Sequence, residues 1–164
     1  ALWLGANLMT ALIASFVINL FEDTIEKVVA LAILMPIVAS MGGVTGSQSL
    51  TLVSRSMPQG TLLESNMGWL IRRELAVSVL NGIVWASLIA IGTAILFNDK
   101  TLGMIIAIAL VINMAVAAVS GAILPRILKS LNIDPAIAGT VVLTTITDVV
   151  GFLTFLGMAT YFYA

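Results

Sequence analysis

Cysteine and histidine are both absent from these 164 residues. Their absence excludes disulfides, thiolate and imidazole metal ligands, and both Cys–His and Ser–His–Asp catalytic arrangements. Any metal ion handled by this chain must be met by oxygen, which favours hard cations such as Mg2+, Ca2+ or Mn2+ over zinc or copper. Charge is also scarce: 9% of the residues are charged, 60% are hydrophobic and the mean hydropathy is +1.16. A soluble domain is about half apolar and about a quarter charged, so both departures point to the bilayer. The net charge is -1 and no basic run is present, which sets nucleic acid aside as a partner.

What the sequence does contain is long apolar runs. A helix needs about 20 apolar residues to cross the hydrocarbon core, and backbone groups in lipid must be paired within the segment. The runs predict an all-α membrane protein with five spans, at about 2–21, 28–54, 75–97, 102–124 and 136–163, forming one transmembrane pore domain over 1–164. The charges fall between them. Glu22, Asp23, Glu26 and Lys27 mark the first connection; Arg55, Glu64, Arg72, Arg73 and Glu74 the second; Asp99 and Lys100 the third; and Arg126, Lys129 and Asp134 the fourth. Five of the basic residues share a side with the N-terminus and only Lys27 and Lys100 lie opposite. The positive-inside rule then expects a multi-pass protein of the cell membrane with its N-terminus cytoplasmic and its C-terminus outside.

The second connection reads as a turn at Met57, Pro58 and Gly60, followed by a short amphipathic surface piece carrying Leu62, Leu63, Met67, Trp69 and Leu70. Trp69 beside Arg72 and Arg73, and Tyr161, Phe162 and Tyr163 at the far end, suit interfacial anchors. Gly82, Gly92, Gly103 and Gly121 in the third and fourth spans read as close helix packing. Asn7, Asn19, Asn81 and Asn113 read as interhelical hydrogen-bonders.

Two spans are less ordinary. The second carries Pro36 and then Gly42, Gly43, Thr45, Gly46, Ser47, Gln48 and Ser49. Glycines cost a helix about 1 kcal/mol each relative to Ala, and Pro36 removes a backbone hydrogen bond. Irregular backbone is expected only where it is buried in protein or lines a watery cavity; close packing of small residues explains the same composition equally well. The fifth span holds Asp148 near its middle. An ionised carboxylate at that depth costs about 2.5–3.5 kcal/mol or more, and no Arg or Lys lies in a span to pair with it. Thr140, Thr144, Asp148 and Gly151 recur at helical spacing on one face, which Phe155 continues outward, with Thr145 and Thr147 flanking it. A polar stripe with one acid suits a cation pathway; the alternative is a protonated Asp bonded to a neighbouring helix.

These two segments resemble the membrane domain of the MgtE family of magnesium channels, a domain shared by a solute carrier family in animals. The resemblance rests on Met35 through Ser49 with Arg55 following, on Asp134-Pro135-Ala136, and on Thr144 through Gly151. Phe21-Glu22 and Arg73-Glu74 also fit. It implies a homodimer with five helices per protomer and one pore on the dimer axis, lined by the second and fifth helices. The pore aspartate falls on Asp148, so two carboxylates would face one hydrated Mg2+, with oxygen groups at Thr144, Thr140, Gly43 and Gly46 contributing; Mn2+ and other divalent cations are alternative cargo. Val44 stands where the family usually has Asn after the two glycines, which bears on the inner lining, gating or selectivity and not on Asp148. The resemblance also implies a cytoplasmic regulatory region before Ala1, in keeping with a chain that does not open on Met.

The expected function is passage of a divalent cation into the cytoplasm down its gradient. A proton- or Na+-coupled transporter using Asp148 as the coupling site is the first rival. An interaction module with a merely structural Asp148 is another. An intramembrane enzyme is set aside, because the required second acid or base is missing from the spans.

Overall fold

The computed structural model describes residues 2–56 and 66–163. The expected turn at Met57, Pro58 and Gly60, together with Leu62, Leu63 and Glu64, lies outside the described residues. The described chain is all helical, in the order α1 (Leu2–Asn19), α2 (Glu22–Lys27), α3 (Ala30–Ser56), α4 (Met67–Leu96), α5 (Lys100–Ser130) and α6 (Pro135–Tyr163). Four of these, α3 to α6, are long and apolar enough to cross a membrane. The 18-residue α1 is shorter and reaches about 27 Å at 1.5 Å per residue.

The helix ends follow from local chemistry. Asp99 caps α5 by accepting the Leu102 N–H at 3.0 Å. Asp134 accepts the Ala136 N–H at 2.9 Å, and Pro135 opens α6, where its missing N–H costs nothing. Asn98 and Asn132 take left-handed backbone, with φ of 50° and 57°, in the turns on either side of α5, a conformation Asn tolerates better than most residues.

One expectation about these elements changes, and one open alternative is decided. Met67, Trp69 and Leu70 belong to the first turn of α4, continuous to Leu96, and not to a separate surface piece. Unbroken hydrogen bonding through the first turn satisfies the backbone better than an interruption would. The glycine-rich stretch of α3 stays helical across its whole length, with Pro36 inside it; Gly42 and Gly46 serve close approach to neighbouring helices.

The packing is organised around α5, which contacts α3, α4 and α6, while α1 packs on α6. Ile105, Ile106, Leu110 and Ala117 of α5 are fully buried, and the first three share one core with Phe155 and Leu156 of α6. Small residues set the distances. A Cβ on Gly121 would collide with the Gly46 carbonyl oxygen of α3, and one on Gly103 would stand 2.6 Å from the Ala90 carbonyl oxygen of α4. A Cβ on Gly82 would make only ordinary contact with Val111 and Met114, 3.5 Å or more away, and Gly92 has open space beside it. Outward faces are apolar: Leu4, Leu8 and Phe16 of α1 and Leu80, Ile91 and Ile95 of α4 are all exposed, as a lipid-facing surface requires. At one end of the bundle the Thr24 and Thr160 hydroxyls meet at 2.8 Å, and the Tyr163 hydroxyl donates to Asp99. Only Tyr163 of the three terminal aromatics turns inward; Tyr161 and Phe162 stay exposed, in edge contact with ring centres 5.4 Å apart.

Candidate cation pathway

The helical period divides α3 into two faces. Gly42, Gly46, Ser49 and Val53 turn toward the bundle and are buried. Gly43, Ser47, Gln48 and Thr51 turn the other way, where with Thr144 and Arg55 they line an open groove of about 630 Å³. A Cβ on Gly43 would meet nothing within 4 Å. Gly46 behaves differently: its carbonyl oxygen lies against Gly121, and its Cα side meets the Leu143 methyls, where a Cβ would stand 2.8 Å away. The fold therefore brings Gly43 and Thr144 together on the groove and leaves Gly46 inside the contact of α3 with α5 and α6.

Along α6 the polar stripe is present but not uniform. Thr140 is exposed, Thr144 and Asp148 are partly covered, and Gly151 and Phe155 are buried. Phe155 does not continue the open face: it is fully buried in the core beneath α5. The Thr144 hydroxyl donates back to the Thr140 carbonyl at 3.0 Å, and the Thr144 carbonyl accepts from the buried Thr147 hydroxyl at 3.1 Å. Asp148 stands one turn beyond Thr144 and does not itself line the groove. Among the described residues no hydrogen-bond donor or cation meets its carboxylate.

A second acid emerges that the sequence reading placed in a connection. Because α4 begins at Met67, Glu74 lies two turns inside it and accepts the buried Ser49 hydroxyl of α3 at 2.8 Å. Ser49, Glu74, Gln48, Asn81 and Trp85 share a smaller cavity of about 250 Å³ on the other flank of α3. The apolar run Met67, Trp69, Leu70, Ile71 ahead of Arg72 was the signal that the helix starts early. The Arg73 guanidinium sits 5.7 Å from the centre of the Trp69 ring, a cation–π contact across one turn.

Of the four asparagines expected to bond between helices, Asn113 reaches across, donating from Nδ2 to the Val38 carbonyl at 2.9 Å. Asn81 bonds back to Val77 of its own helix, and Asn7 and Asn19 are exposed on α1. Among the described residues no group of three or more acidic side chains gathers to hold a metal ion. The groove thus offers hydroxyls, an amide and backbone oxygen, with one carboxylate beside it.

Residues 35–158 match a family model described as MgtE, divalent cation transporter. The chain is 39% identical over 160 residues to a Bacillus subtilis protein named magnesium transporter MgtE, and 31% identical over 157 residues to the protein of that name from Thermus thermophilus. A third, from Enterococcus faecalis, is 26% identical over 160 residues. These matches cover 98%, 96% and 98% of the chain but only 36%, 35% and 35% of the relatives, so the chain spans about a third of their length.

Proposed function

This chain belongs to the MgtE family of divalent cation transporters, and from that premise we propose that it forms a membrane pore passing hydrated Mg2+ into the cytoplasm down its electrochemical gradient. The observation that carries the reading is Asp148: a carboxylate in the middle of a spanning helix, on the same face as Thr144 and without a partner among the described residues. Intramembrane acids are costly and mark ion pathways. The relatives are named as transporters and none as an enzyme.

Two copies face each other across the α3–α6 groove, and each supplies one Asp148 to the axis. Magnesium dehydrates reluctantly and keeps several waters, so two carboxylates grip the hydrated ion from opposite sides. Thr144, Thr140 and Gly43 add hydroxyl and carbonyl oxygens along the approach. Gly46 lets α3 close on Leu143 of α6. The short α1 makes a fifth crossing with Leu20 and Phe21 extending it. The end carrying Arg55, Arg126 and Lys129 faces the cytoplasm by the positive-inside rule, and a cytoplasmic regulatory part precedes Ala1 in the whole protein.

The test is Mg2+ uptake into liposomes holding wild type or Asp148→Asn at equal reconstitution, without a proton or Na+ gradient. Uptake by wild type that disappears in Asp148→Asn is the expected result. Uptake that survives the substitution removes Asp148 as the key ligand, and uptake that needs an imposed gradient replaces the pore with a coupled transporter.

A further inference from the structure

We propose that Asn113, on a helix outside the pathway, is a positioning residue that sets the spacing of α3 and α6 at the level of Asp148 and thereby the ion discrimination of the pore; the inference rests on the pore reading above. Asn113 is fully buried on α5. Its Nδ2 donates to the Val38 carbonyl of α3, and its Oδ1, equally buried, has no hydrogen-bond partner among the described residues.

The carboxamide is held between two glycines from different helices. A Cβ on Gly42 of α3 would collide with Nδ2 and stand 2.9 Å from Cγ. A Cβ on Gly151 of α6 would stand 2.7 Å from Nδ2 and 3.2 Å from Cγ. Both glycines are therefore the room into which one amide fits, and the amide is the spacer between them. Gly42 directly precedes Gly43, which opens on the groove, and Gly151 lies three residues beyond Asp148. A change in this spacer moves the helix bearing Gly43 relative to the helix bearing Asp148, while Asn113 itself touches neither ion nor groove. Close-packed interiors transmit such shifts instead of absorbing them. Recognition of a hydrated ion by oppositely placed carboxylates depends on the distance between the groups that hold it.

A buried amide with one unused acceptor is also a poor choice for packing alone. An apolar side chain of the same volume would leave no such group. What the amide adds is direction, because its bond to the Val38 carbonyl fixes how α3 lies against it.

The test uses Asn113→Ala, Gly42→Ala and the double variant in proteoliposomes, reading the ratio of Mg2+ to Ca2+ uptake alongside thermal unfolding. The chain has no native cysteine, so nitroxides at Leu52→Cys and Ile137→Cys, diluted with unlabelled chain, report the α3–α6 distance without any transport. Each single variant is expected to shift the distance and to change the uptake ratio by about threefold or more. The double variant, in which the methyl of residue 42 takes up space the amide has left, is expected to return both toward wild type. If Asn113→Ala does not fold, Asn113→Ser takes its place. Single variants that lower only the unfolding temperature, with distance and ratio unchanged, would overturn the proposal, as would a double variant no better than the worse single one. Absence of Mg2+ uptake by wild type would sink the pore reading and the discrimination role together, while the label distances would still decide whether Asn113 spaces the helices.

Discussion

Asp148 has no hydrogen-bond or ion-pair partner among the described residues, and a carboxylate without a partner adds no stability to the fold. Asp148 should therefore be separable from folding. Asp148→Asn is expected to leave the unfolding temperature in detergent unchanged or raised, while the same protein loses Mg2+ uptake in liposomes; an unfolding temperature several degrees lower would mean that the carboxylate has a structural partner after all. The two glycines of the candidate site make a matched pair at the same scale. Gly43 borders open space, so Gly43→Ala should not destabilise the helix and should gain up to about 1 kcal/mol of helix propensity, with any loss of uptake arising in the groove. At Gly46 the added methyl must displace the Leu143 side chain, and unfolding measurements on Gly46→Ala should show a net cost.

Among the elements, α5 and α4 support what α3 and α6 present. Gly121 of α5 lies on the Gly46 carbonyl of α3, a backbone contact that cannot rotate away. Gly121→Ala is expected to cost about 1–3 kcal/mol by overpacking, measured as loss of resistance to unfolding, and a neutral outcome would mean that α3 and α5 are less closely apposed. The Ser49–Glu74 hydrogen bond joins α3 to α4 on the flank away from the groove. Ser49→Ala, Glu74→Gln and the double variant form a thermodynamic cycle. A coupling of about 0.5 kcal/mol or more is expected for groups in contact, and additive effects would show the bond to be incidental.

At the scale of the whole molecule, the end of the bundle opposite Arg55 is tied by the Asp99–Tyr163 and Thr24–Thr160 contacts, which fasten the last turns of α6 to α5 and α2. The Tyr163 hydroxyl beside Asp99, helped by the Leu102 and Thr101 N–H groups and opposed by partial burial, holds the Asp99 carboxyl below the usual carboxylate range. A carboxyl whose pKa is lower folded than unfolded binds its proton more readily in the unfolded chain, so stability rises with pH across that interval. Its contribution is complete above the unfolded value of 3.8 and is lost as pH falls through the folded value. Unfolding profiles should therefore fall on the acid side, and Asp99→Asn or Tyr163→Phe should flatten that fall; an unchanged acid limb in both variants would show that the contact does not hold in solution.

Hydrophobic run length and charge placement are local properties, and from them the sequence alone determined an all-helical membrane chain, the placement of four long spans, the oxygen-only donor set and the isolated acid at Asp148. Asp99 and Pro135 marked helix starts because caps act within one turn. Three-dimensional packing decided the rest. The sequence could not tell whether the glycines of α3 break the helix or admit neighbours, because both use the same residue; the contacts of Gly42 with Asn113 and of Gly46 with Gly121 settle it. It put Glu74 outside a span because a charge pair resembles a boundary, and only the continuous turn from Met67 shows it reaching Ser49. It placed Phe155 on the open face, since helical spacing says which residues align but not what stands opposite them. Those neighbours come from far along the chain, and their positions are set by which helices pack together, a property of the assembled bundle and of no single segment.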